Sequence, residues 1–303
     1  MSDHDAIAIV GGGLMGHGIA QVFARAGHMV RVHDASAQIL STLHERIRRN
    51  LVDLGQDAAA ANRVSGHDSL AAAVGGAGFV FEAGPENLSL KRQIFANIEA
   101  AAAPQAILAS NTSVIPITQI MTGLKRGDRA LGTHWWNPPF LVPLVEVIKT
   151  PHTSMAAVQA MSQLLLAAGK TPVTIQKDVP GFVGNRLQHA LWREAIALVQ
   201  NGVCDADTVD TVVKASFGRR LAVLGPLENA DLVGTDLTLA IHETVLPDLD
   251  RTPGPLPLLK ELVAGGRLGM KTGEGFRRWT PDEQAKLRQR VFQYLKALDD
   301  QGI

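Results

Sequence analysis

The sequence lacks several features that would place it in a specialised class. Cys204 is its only cysteine, so it can form neither an intrachain disulfide nor a cysteine metal cage. We therefore expect a reducing compartment and no metal centre. The 29 Lys and Arg residues balance the 29 Asp and Glu residues, giving a formal net charge of zero. This balance argues against nucleic acid or a membrane surface as a partner.

Long apolar runs are also missing. No segment approaches the roughly 18 to 20 consecutive apolar residues that a membrane-spanning helix needs. The first five residues, Met-Ser-Asp-His-Asp, are polar and acidic, unlike a secretory signal peptide. Together with the single cysteine, these absences predict a cytoplasmic protein.

The composition is that of a folded protein with room for two domains. Its 303 residues are 46% hydrophobic and 19% charged, which is typical of a globular chain. In the first half, short apolar runs alternate with helical segments, a pattern typical of a parallel sheet covered on both faces. We therefore predict a Rossmann-type, doubly wound α/β domain. The predicted strands are 6–10, 29–33, 79–82, 107–110, 130–134, 144–148 and 172–175.

The second half is helical. The breaker Asp-Val-Pro-Gly at 178–181 marks the change, so we predict a Rossmann domain over 1–180 and an all-helical domain over 181–303. The predicted helices include 182–200, 206–216 and 227–246. A last helix begins where Thr280 and Glu283 form a capping box and Pro281 takes the first helical position.

A glycine-rich run after the first strand matches the dinucleotide-binding pattern G-x-G-x-x-G. Gly11 would allow the tight turn, Gly13 the approach of a pyrophosphate, and Gly16 close packing of helix on strand. The phosphates would lie against backbone N–H groups at the positive end of the helix, around Leu14 and Met15.

The second predicted strand ends in Asp34, about 20 residues after the glycines. A carboxylate at this place can accept hydrogen bonds from both ribose hydroxyls of adenosine, and it repels a 2′-phosphate. The motif therefore predicts NAD rather than NADP as the cofactor. The alternative, a glycine-rich turn without a ligand, would leave the three glycines without a purpose.

A candidate acid–base pair follows from two neighbouring predicted strands. His134 ends one of them, and Glu146 lies inside the next among apolar residues. A buried carboxylate is costly unless it is paired, and an imidazole held by a carboxylate makes a good base at neutral pH. The alternative is that His134 is a structural histidine at a strand end.

Over essentially its whole length the sequence resembles the L-3-hydroxyacyl-CoA dehydrogenase family. Several segments match in the same order along the chain, which is far more specific than any one of them. They are 11–16, Glu86-Asn87-Leu88 with Lys91, Ser110 to Ser113, His134 to Pro138, 144–148, Pro180-Gly181-Phe182 with Asn185-Arg186, and Lys271 to Phe276.

The resemblance implies an NAD-dependent alcohol dehydrogenase. His134 would take the proton of a substrate 3-hydroxyl, with Glu146 as its orienting partner. Ser113 and Asn185 would hydrogen-bond the substrate oxygen and the histidine while a hydride passes to NAD.

The resemblance also assigns cofactor and subunit contacts. Glu86, Lys91 and Asn111 match positions that line the cofactor cleft. The helical domain over 181–303 would contact the substrate and hold two subunits together as a homodimer.

Departures from the family pattern bear on the substrate. Trp135 and Trp136 replace the usual two phenylalanines, either reshaping the acyl pocket or packing in the core. Arg277 stands where a tyrosine is common. After Arg49 no Lys or Arg follows until Arg63, although basic residues there help acyl-CoA users to bind CoA.

The chain is accordingly also similar to the branch of the family that acts on small free hydroxy acids, such as gulonate and carnitine dehydrogenases. Its His-Trp-Trp-Asn-Pro-Pro run is similar to a dehydrogenase of a pyridine carboxylate. We expect a small hydroxy acid as substrate. The alternatives are a true acyl-CoA dehydrogenase, with Arg46, Arg48 and Arg49 holding CoA, and an NAD-binding structural protein without turnover.

Overall fold

The computed structural model describes residues 6–300, and side chains up to residue 299. The polar residues 1–5, on which the expectation of no signal peptide rests, lie outside the described residues. The chain divides into two compact units, Met1–Arg186 and Leu187–Ile303, here called the N-terminal and C-terminal units. The predicted domain boundary at 180/181 lies a few residues before this division and stays a prediction.

The N-terminal unit is built on one eight-stranded sheet. Its strands are β1 (Ile7–Val10), β2 (Val30–His33), β3 (Val64–His67), β4 (Phe79–Glu82), β5 (Ile107–Ser110), β6 (Ala130–Trp135), β7 (Leu144–Ile148) and β8 (Thr171–Ile175). Their order in the sheet is β3-β2-β1-β4-β5-β6-β7-β8. The order reverses between β1 and β4, and the crevice at such a switch point is where doubly wound sheets bind ligands.

The predicted parallel sheet is wrong for its last two strands. β6 pairs antiparallel with β7, and β8 runs parallel to β7. The reason is the short connection between β6 and β7, since a parallel pairing needs a crossover of about a dozen residues or more. Strand β3 was not predicted, because Val-Ser-Gly-His has only one buried residue and forms no apolar run.

Helices with readable ends cover this sheet. They are α1 (Leu14–Arg25), α2 (Ala37–Asp53), α3 (Leu70–Val74), α4 (Leu88–Ala101), α5 (Ile117–Ile120) and α6 (Met155–Ala167). The side chains of Ser36, Asn87 and Ser154 cap α2, α4 and α6 by accepting backbone N–H bonds. Gly27 and Gly169 follow α1 and α6 with positive φ, the left-handed conformation that commonly ends a helix.

The described part of the C-terminal unit contains no strand; a long helix, α7 (Gly184–Gln200), leads into it. The others are α8 (Ala206–Ala215), α9 (Pro226–Val233), α10 (Thr235–Val245), α11 (Pro257–Ala264) and α12 (Pro281–Asp300). The single helix predicted over 227–246 is wrong, because Gly234 at φ +100° divides it into α9 and α10. The capping box of α12 is confirmed, since Thr280 and Glu283 exchange backbone-to-side-chain hydrogen bonds.

The two units differ in how much apolar surface they bury. The described residues of the C-terminal unit include only three buried apolar residues, Ala197, Leu256 and Leu262. Among residues 6–300 we find no helix with the length and hydrophobicity of a membrane-spanning segment.

Candidate active site

The dinucleotide loop joins β1 to α1, and its three motif glycines meet different demands. Gly11 has φ +106°, and an added Cβ there would lie 2.7 Å from the Ala83 carbonyl oxygen. An added Cβ at Gly16 would lie 1.7 Å from the Gly11 oxygen, whereas one at Gly13 would meet nothing within 4 Å. The turn and the packing predicted from the motif are therefore present, and the space beside Gly13 suits the approach of a pyrophosphate.

The start of α1 suits an anion. Among the described residues no side chain caps this helix, and its first turn holds no acidic residue. The backbone N–H groups of the first turn have no partner within the helix, and the helix dipole makes this end positive. These properties fit the phosphates of a dinucleotide.

Asp34 follows β2 and is fixed against the loop. Its Oδ2 accepts a 2.8 Å hydrogen bond from the Gly12 N–H, and its Oδ1 accepts one of 2.8 Å from the Ser36 N–H. On the other side of the same glycine, Arg46 Nη2 donates to the oxygens of Gly12 at 2.9 Å and Ile39 at 3.0 Å. The backbone of Gly12 is thus held at its N–H by a carboxylate and at its oxygen by a guanidinium.

His17 supports the loop from α1. Its Nδ1 lies 2.8 Å from the Gly13 oxygen, and its Nε2 lies 3.3 Å from Asn50 Nδ2. Burial lowers the pKa of His17; the bond to Gly13 opposes that shift, and the charges of Arg46 and Arg49 add to it. A neutral ring that donates through Nδ1 and accepts through Nε2 satisfies both contacts. Sequence patterns did not single out this contact, because it depends on where α2 lies.

A buried charge network lies at the carboxyl end of β4, beside the switch point. Lys91 Nζ is 2.7 Å from Glu82 Oε1 and 3.0 Å from Oε2, and both side chains are fully buried. Ser110 Oγ donates to Glu82 Oε2 at 2.7 Å. Glu86 accepts a hydrogen bond from Thr112 Oγ1 and lies 3.9 Å from Lys91 Nζ.

This network places the two predicted cofactor residues Glu86 and Lys91 together. It also shows that the Lys91 ammonium is held by Glu82 inside the unit, so Lys91 fixes its neighbours rather than projecting from the surface. Sequence reasoning missed Glu82 and Thr112. The signal for Glu82 was available, because a carboxylate ends the otherwise apolar strand Phe-Val-Phe-Glu.

His134 and Glu146 lie opposite each other on the antiparallel strands β6 and β7. His134 Nδ1 and Glu146 Oε2 are 2.7 Å apart, and the residues are 4% and 1% exposed. Burial alone would raise the pKa of Glu146, but hydrogen bonds from His134, Gly184 and Val183 outweigh it and hold that pKa below its ordinary value. The carboxylate therefore stays ionised and keeps the proton of His134 on Nδ1, which leaves Nε2 as the basic nitrogen.

The turn before α7 completes the carboxylate's partners. Gly181 and Phe182 have φ of +73° and +49°, in the left-handed region, which costs a non-glycine residue about 1 kcal/mol. This turn aims the N–H groups of Val183 and Gly184 at Glu146 Oε1, at 3.0 and 3.1 Å. It also buries the Phe182 ring, with its centroid 5.6 Å from that of His134.

The remaining predicted residues are close together. Asn185 Nδ2 donates to the Ser113 carbonyl oxygen at 2.8 Å, which brings these two candidates side by side. Asn111 Oδ1 accepts the Trp135 N–H at 3.0 Å and so holds the strand beside His134.

The two tryptophans have different surroundings. Trp135 is 2% exposed and packs edge-on against Phe23 and Phe81, which is the core-packing alternative. The Trp136 ring centroid lies 5.3 Å from that of His134. An added Cβ at Gly184 would lie 2.4 Å from Trp136 Cζ2, so a glycine is required where this ring packs.

Known proteins match most of the length of the chain. The NAD-binding domain of 3-hydroxyacyl-CoA dehydrogenase matches residues 6–179, and the C-terminal domain of the same family matches 181–279. A 5-formyl-3-hydroxy-2-methylpyridine 4-carboxylate 5-dehydrogenase from Mesorhizobium japonicum is 34% identical over 93% of both chains. Human mitochondrial hydroxyacyl-coenzyme A dehydrogenase is 37% identical over 89% of this chain and 90% of its own.

Two further likenesses concern small substrates and the fold. L-carnitine dehydrogenase from Streptomyces coelicolor is 38% identical over 75% of this chain and 73% of its own. A crystal structure of the 5-formyl-3-hydroxy-2-methylpyridine 4-carboxylic acid 5-dehydrogenase, described as an NAD⁺-dependent dismutase, superposes with a TM-score of 0.91 over 98% of both chains at 33% identity. On these matches the chain belongs to the 3-hydroxyacyl-CoA dehydrogenase family and is an NAD-dependent oxidoreductase that acts on CH–OH groups.

Proposed function

We propose that this chain oxidises the 3-hydroxyl of a small, free hydroxy acid to a ketone, with His134 as the general base. The observation that carries the proposal is the buried His134–Glu146 pair. Its 2.7 Å hydrogen bond fixes the ring, and the two backbone N–H groups on Glu146 Oε1 fix the carboxylate. A base oriented in this way is what proton removal from an alcohol requires.

In the proposed reaction His134 Nε2 takes the hydroxyl proton, and the negative charge of Glu146 stabilises the imidazolium that forms. Ser113 and Asn185, which are joined by their own hydrogen bond, orient the substrate oxygen. NAD, when bound, supplies the hydride acceptor. In the reverse direction the imidazolium returns its proton to the alkoxide.

The cofactor contacts are proposed in three groups. The loop with Gly11, Gly13, Leu14, Met15 and Gly16 would hold the pyrophosphate. Asp34, fixed by Gly12 and Ser36, would accept the ribose hydroxyls. Glu86, Lys91 and Asn111 would border the nicotinamide end, with Lys91 acting through its ion pairs to Glu82 and Glu86.

A small substrate is favoured over a CoA thioester by the contacts that Arg46 makes from α2. Arg46, the first of the three that could have held CoA, donates instead to the oxygens of Gly12 and Ile39. Arg48 and Arg49 are exposed and do not bear on this choice. The relatives named for a pyridine carboxylate and for carnitine support the same choice.

A second candidate is oxidation of an aldehyde that carries a carboxylate. The relative from Mesorhizobium japonicum is named for a formyl group. A hydrated aldehyde presents the same H–C–O–H unit to a base as a secondary alcohol does, and its oxidation gives a carboxylic acid. The His134–Glu146 pair would serve this reaction without change.

We further propose that the protein is a cytoplasmic homodimer joined through its C-terminal unit, without nucleic-acid or membrane partners. In the described part of that unit 21 large apolar side chains are exposed and only three apolar residues are buried. The zero net charge supports the absence of polyanionic partners. The substrate contacts predicted for residues 181–303 stay a prediction.

The test is NADH production by the purified protein from a panel of compounds. The panel pairs L-3-hydroxybutyryl-CoA with free 3-hydroxybutyrate, carnitine, gulonate, a pyridine alcohol carboxylate and the matching pyridine aldehyde. We expect turnover of a free acid and none of the thioester. Turnover of the thioester alone would overturn the small-substrate proposal, and NAD binding without any turnover would favour the structural-protein alternative.

A further inference from the structure

Two aromatic rings lie beside His134, and they differ in exposure. The Phe182 centroid is 5.6 Å from that of His134, but Phe182 is fully buried. The Trp136 centroid is 5.3 Å away, and Trp136 is only half-buried. A molecule that approaches the base can therefore contact Trp136 but not Phe182.

The position of Trp136 follows from the alternation of side chains along β6. Successive side chains of a strand point to opposite faces of the sheet, so Trp136, directly after β6, lies on the same face as His134. Trp135 points to the other face and packs against Phe23 and Phe81. Of the two tryptophans that depart from the family pattern, only Trp136 is beside the base.

The part of the Trp136 ring that is open to a substrate consists of carbon atoms. Its Nε1 is buried and has no hydrogen-bond partner among the described residues. The adjoining edge packs on the start of α7, since an added Cβ at Gly184 would lie 2.4 Å from Cζ2 and 3.3 Å from Cε2. A substrate therefore meets apolar ring carbons rather than the indole N–H, and such a surface favours stacking over hydrogen bonding.

Gly184 fixes this ring relative to the base. Because Gly184 has no side chain, the indole lies directly against the backbone of α7. The Gly184 N–H also donates at 3.1 Å to Oε1 of Glu146, the carboxylate that holds His134. The base and the indole are thus held against one backbone turn, which presents a flat, preformed surface beside His134.

We propose that Trp136 is a specificity-determining residue, which selects a free acid whose alcohol or hydrated-aldehyde carbon is attached to a flat aromatic or heteroaromatic ring. The proposal rests on the oxidation of a small free acid proposed above and names its substrate class. Stacked aromatic rings have their centroids about 4.5–7 Å apart, and the 5.3 Å between Trp136 and His134 is of the same size. A ring stacked on Trp136 can therefore carry its reacting carbon to the base. An aliphatic hydroxy acid presents no flat face to the indole.

The experiment compares three free acids that differ only in the group on the alcohol carbon. They are 3-hydroxy-3-phenylpropionate, 3-cyclohexyl-3-hydroxypropionate and 3-hydroxybutyrate, measured beside the pyridine alcohol carboxylate. The phenyl and cyclohexyl groups are similar in size, so their comparison isolates flatness from bulk. We expect kcat/KM for the phenyl acid to exceed that for the cyclohexyl acid by about three- to tenfold. An acid that is not turned over is compared by its inhibition constant against one that is.

Variants of the two tryptophans assign the preference to one ring. Trp136→Leu should abolish the preference for the phenyl acid, mainly through KM, whereas Trp136→Phe keeps a flat ring and should retain part of it. The control is Trp135→Phe, in the core, which should keep the wild-type preference. Circular dichroism confirms that each variant is folded.

The outcomes separate this inference from the proposed function. Equal values for the phenyl and cyclohexyl acids, or a preference that Trp136→Leu leaves intact, would overturn the role of Trp136 alone. A higher KM for NAD in Trp136→Leu, with the preference among acids unchanged, would also overturn it and assign the ring to the cofactor. Turnover of the CoA thioester alone, or NAD binding without any turnover, would overturn the proposed function and this inference together.

Discussion

The N-terminal and C-terminal units differ in the number of apolar side chains that they bury. Among the described residues the N-terminal unit has 47 buried apolar residues and nine exposed large ones, whereas the C-terminal unit has three and 21. The sheet accounts for the first pattern, since β1, β4, β5 and β6 are buried along their whole length. The second pattern is that of an incomplete core. Large apolar patches on a protein surface mark interaction sites.

The candidate cofactor-binding and acid–base residues also belong to one unit. The dinucleotide loop, the Glu82–Lys91 pair and the His134–Glu146 pair all lie in the unit that completes its own core. Rigid, buried surroundings hold an imidazole and a carboxylate at a fixed distance. We infer that the N-terminal unit supplies the reacting groups and the C-terminal unit supplies the contact between subunits.

The largest expected effect is on stability, in the self-contained core. Phe81→Ala on β4 removes a fully buried ring and should destabilise the N-terminal unit by about 3–5 kcal/mol, as measured by urea denaturation. The counterpart in the C-terminal unit is Leu237→Ala, at a side chain 50% exposed. In protein dilute enough to be monomeric it should change stability by no more than about 0.5 kcal/mol. Equal losses of stability in Phe81→Ala and Leu237→Ala would contradict this difference in burial between the units.

The next effect is on association. Leu232→Asp on α9 replaces a side chain that is 73% exposed in the chain. If the C-terminal unit joins the proposed homodimer, this variant should weaken it about tenfold or more, because a charge would be buried at the interface. Leu166→Asp on α6 is the matched variant, at 60% exposure in the N-terminal unit. It should leave the dimer unchanged. Sedimentation of both variants over a range of concentrations tests the difference.

A pH dependence should belong to the N-terminal unit. The folded pKa of Glu146 lies below its ordinary value of 4.5. The carboxylate therefore contributes stability that is present above pH 4.5 and is lost as the pH falls through the folded pKa. Glu146→Gln should lack this part of the loss of stability in acid. The measurement is an acid titration of the wild-type protein and the variant, with unfolding followed by circular dichroism. Identical acid unfolding curves for the two proteins would contradict this contribution of Glu146.

The smallest expected effect concerns the loop. Arg46→Gln removes the donor to the Gly12 oxygen, so the loop should be held less firmly and the KM for NAD should rise by about three- to tenfold. The kcat should change little, because Arg46 contacts neither His134 nor Glu146. Arg48→Gln, at an exposed neighbour with a weak 3.9 Å ion pair, is the control and should leave the KM unchanged.

Much of this arrangement could be predicted from short stretches of sequence. The glycines, Asp34 and the capping box of α12 depend on neighbours a few residues away, so their patterns carry the information. The His134–Glu146 pair was predicted because a carboxylate among apolar residues needs a partner. The antiparallel direction of β7 was not predicted, although it is what sets these two side chains opposite each other.

Other features depend on distant parts of the chain. Arg46 was a candidate for CoA, but its guanidinium turns back to a loop 34 positions earlier in the sequence. Lys91 was predicted to line the cofactor cleft, and its full burial against Glu82 follows from how α4 packs on β4. The exposed helices of the C-terminal unit look like ordinary amphipathic helices in sequence, because a pattern does not show whether the apolar face is covered within the chain.

The role of His134 as the general base is tested most directly by comparing the wild-type protein with His134→Gln. With the free acid that the wild-type protein oxidises, NADH formation by His134→Gln should be about 10²- to 10⁴-fold slower under saturating NAD. NADH binding, measured by fluorescence, should be unchanged. Turnover by His134→Gln within a few-fold of wild type would contradict the mechanism.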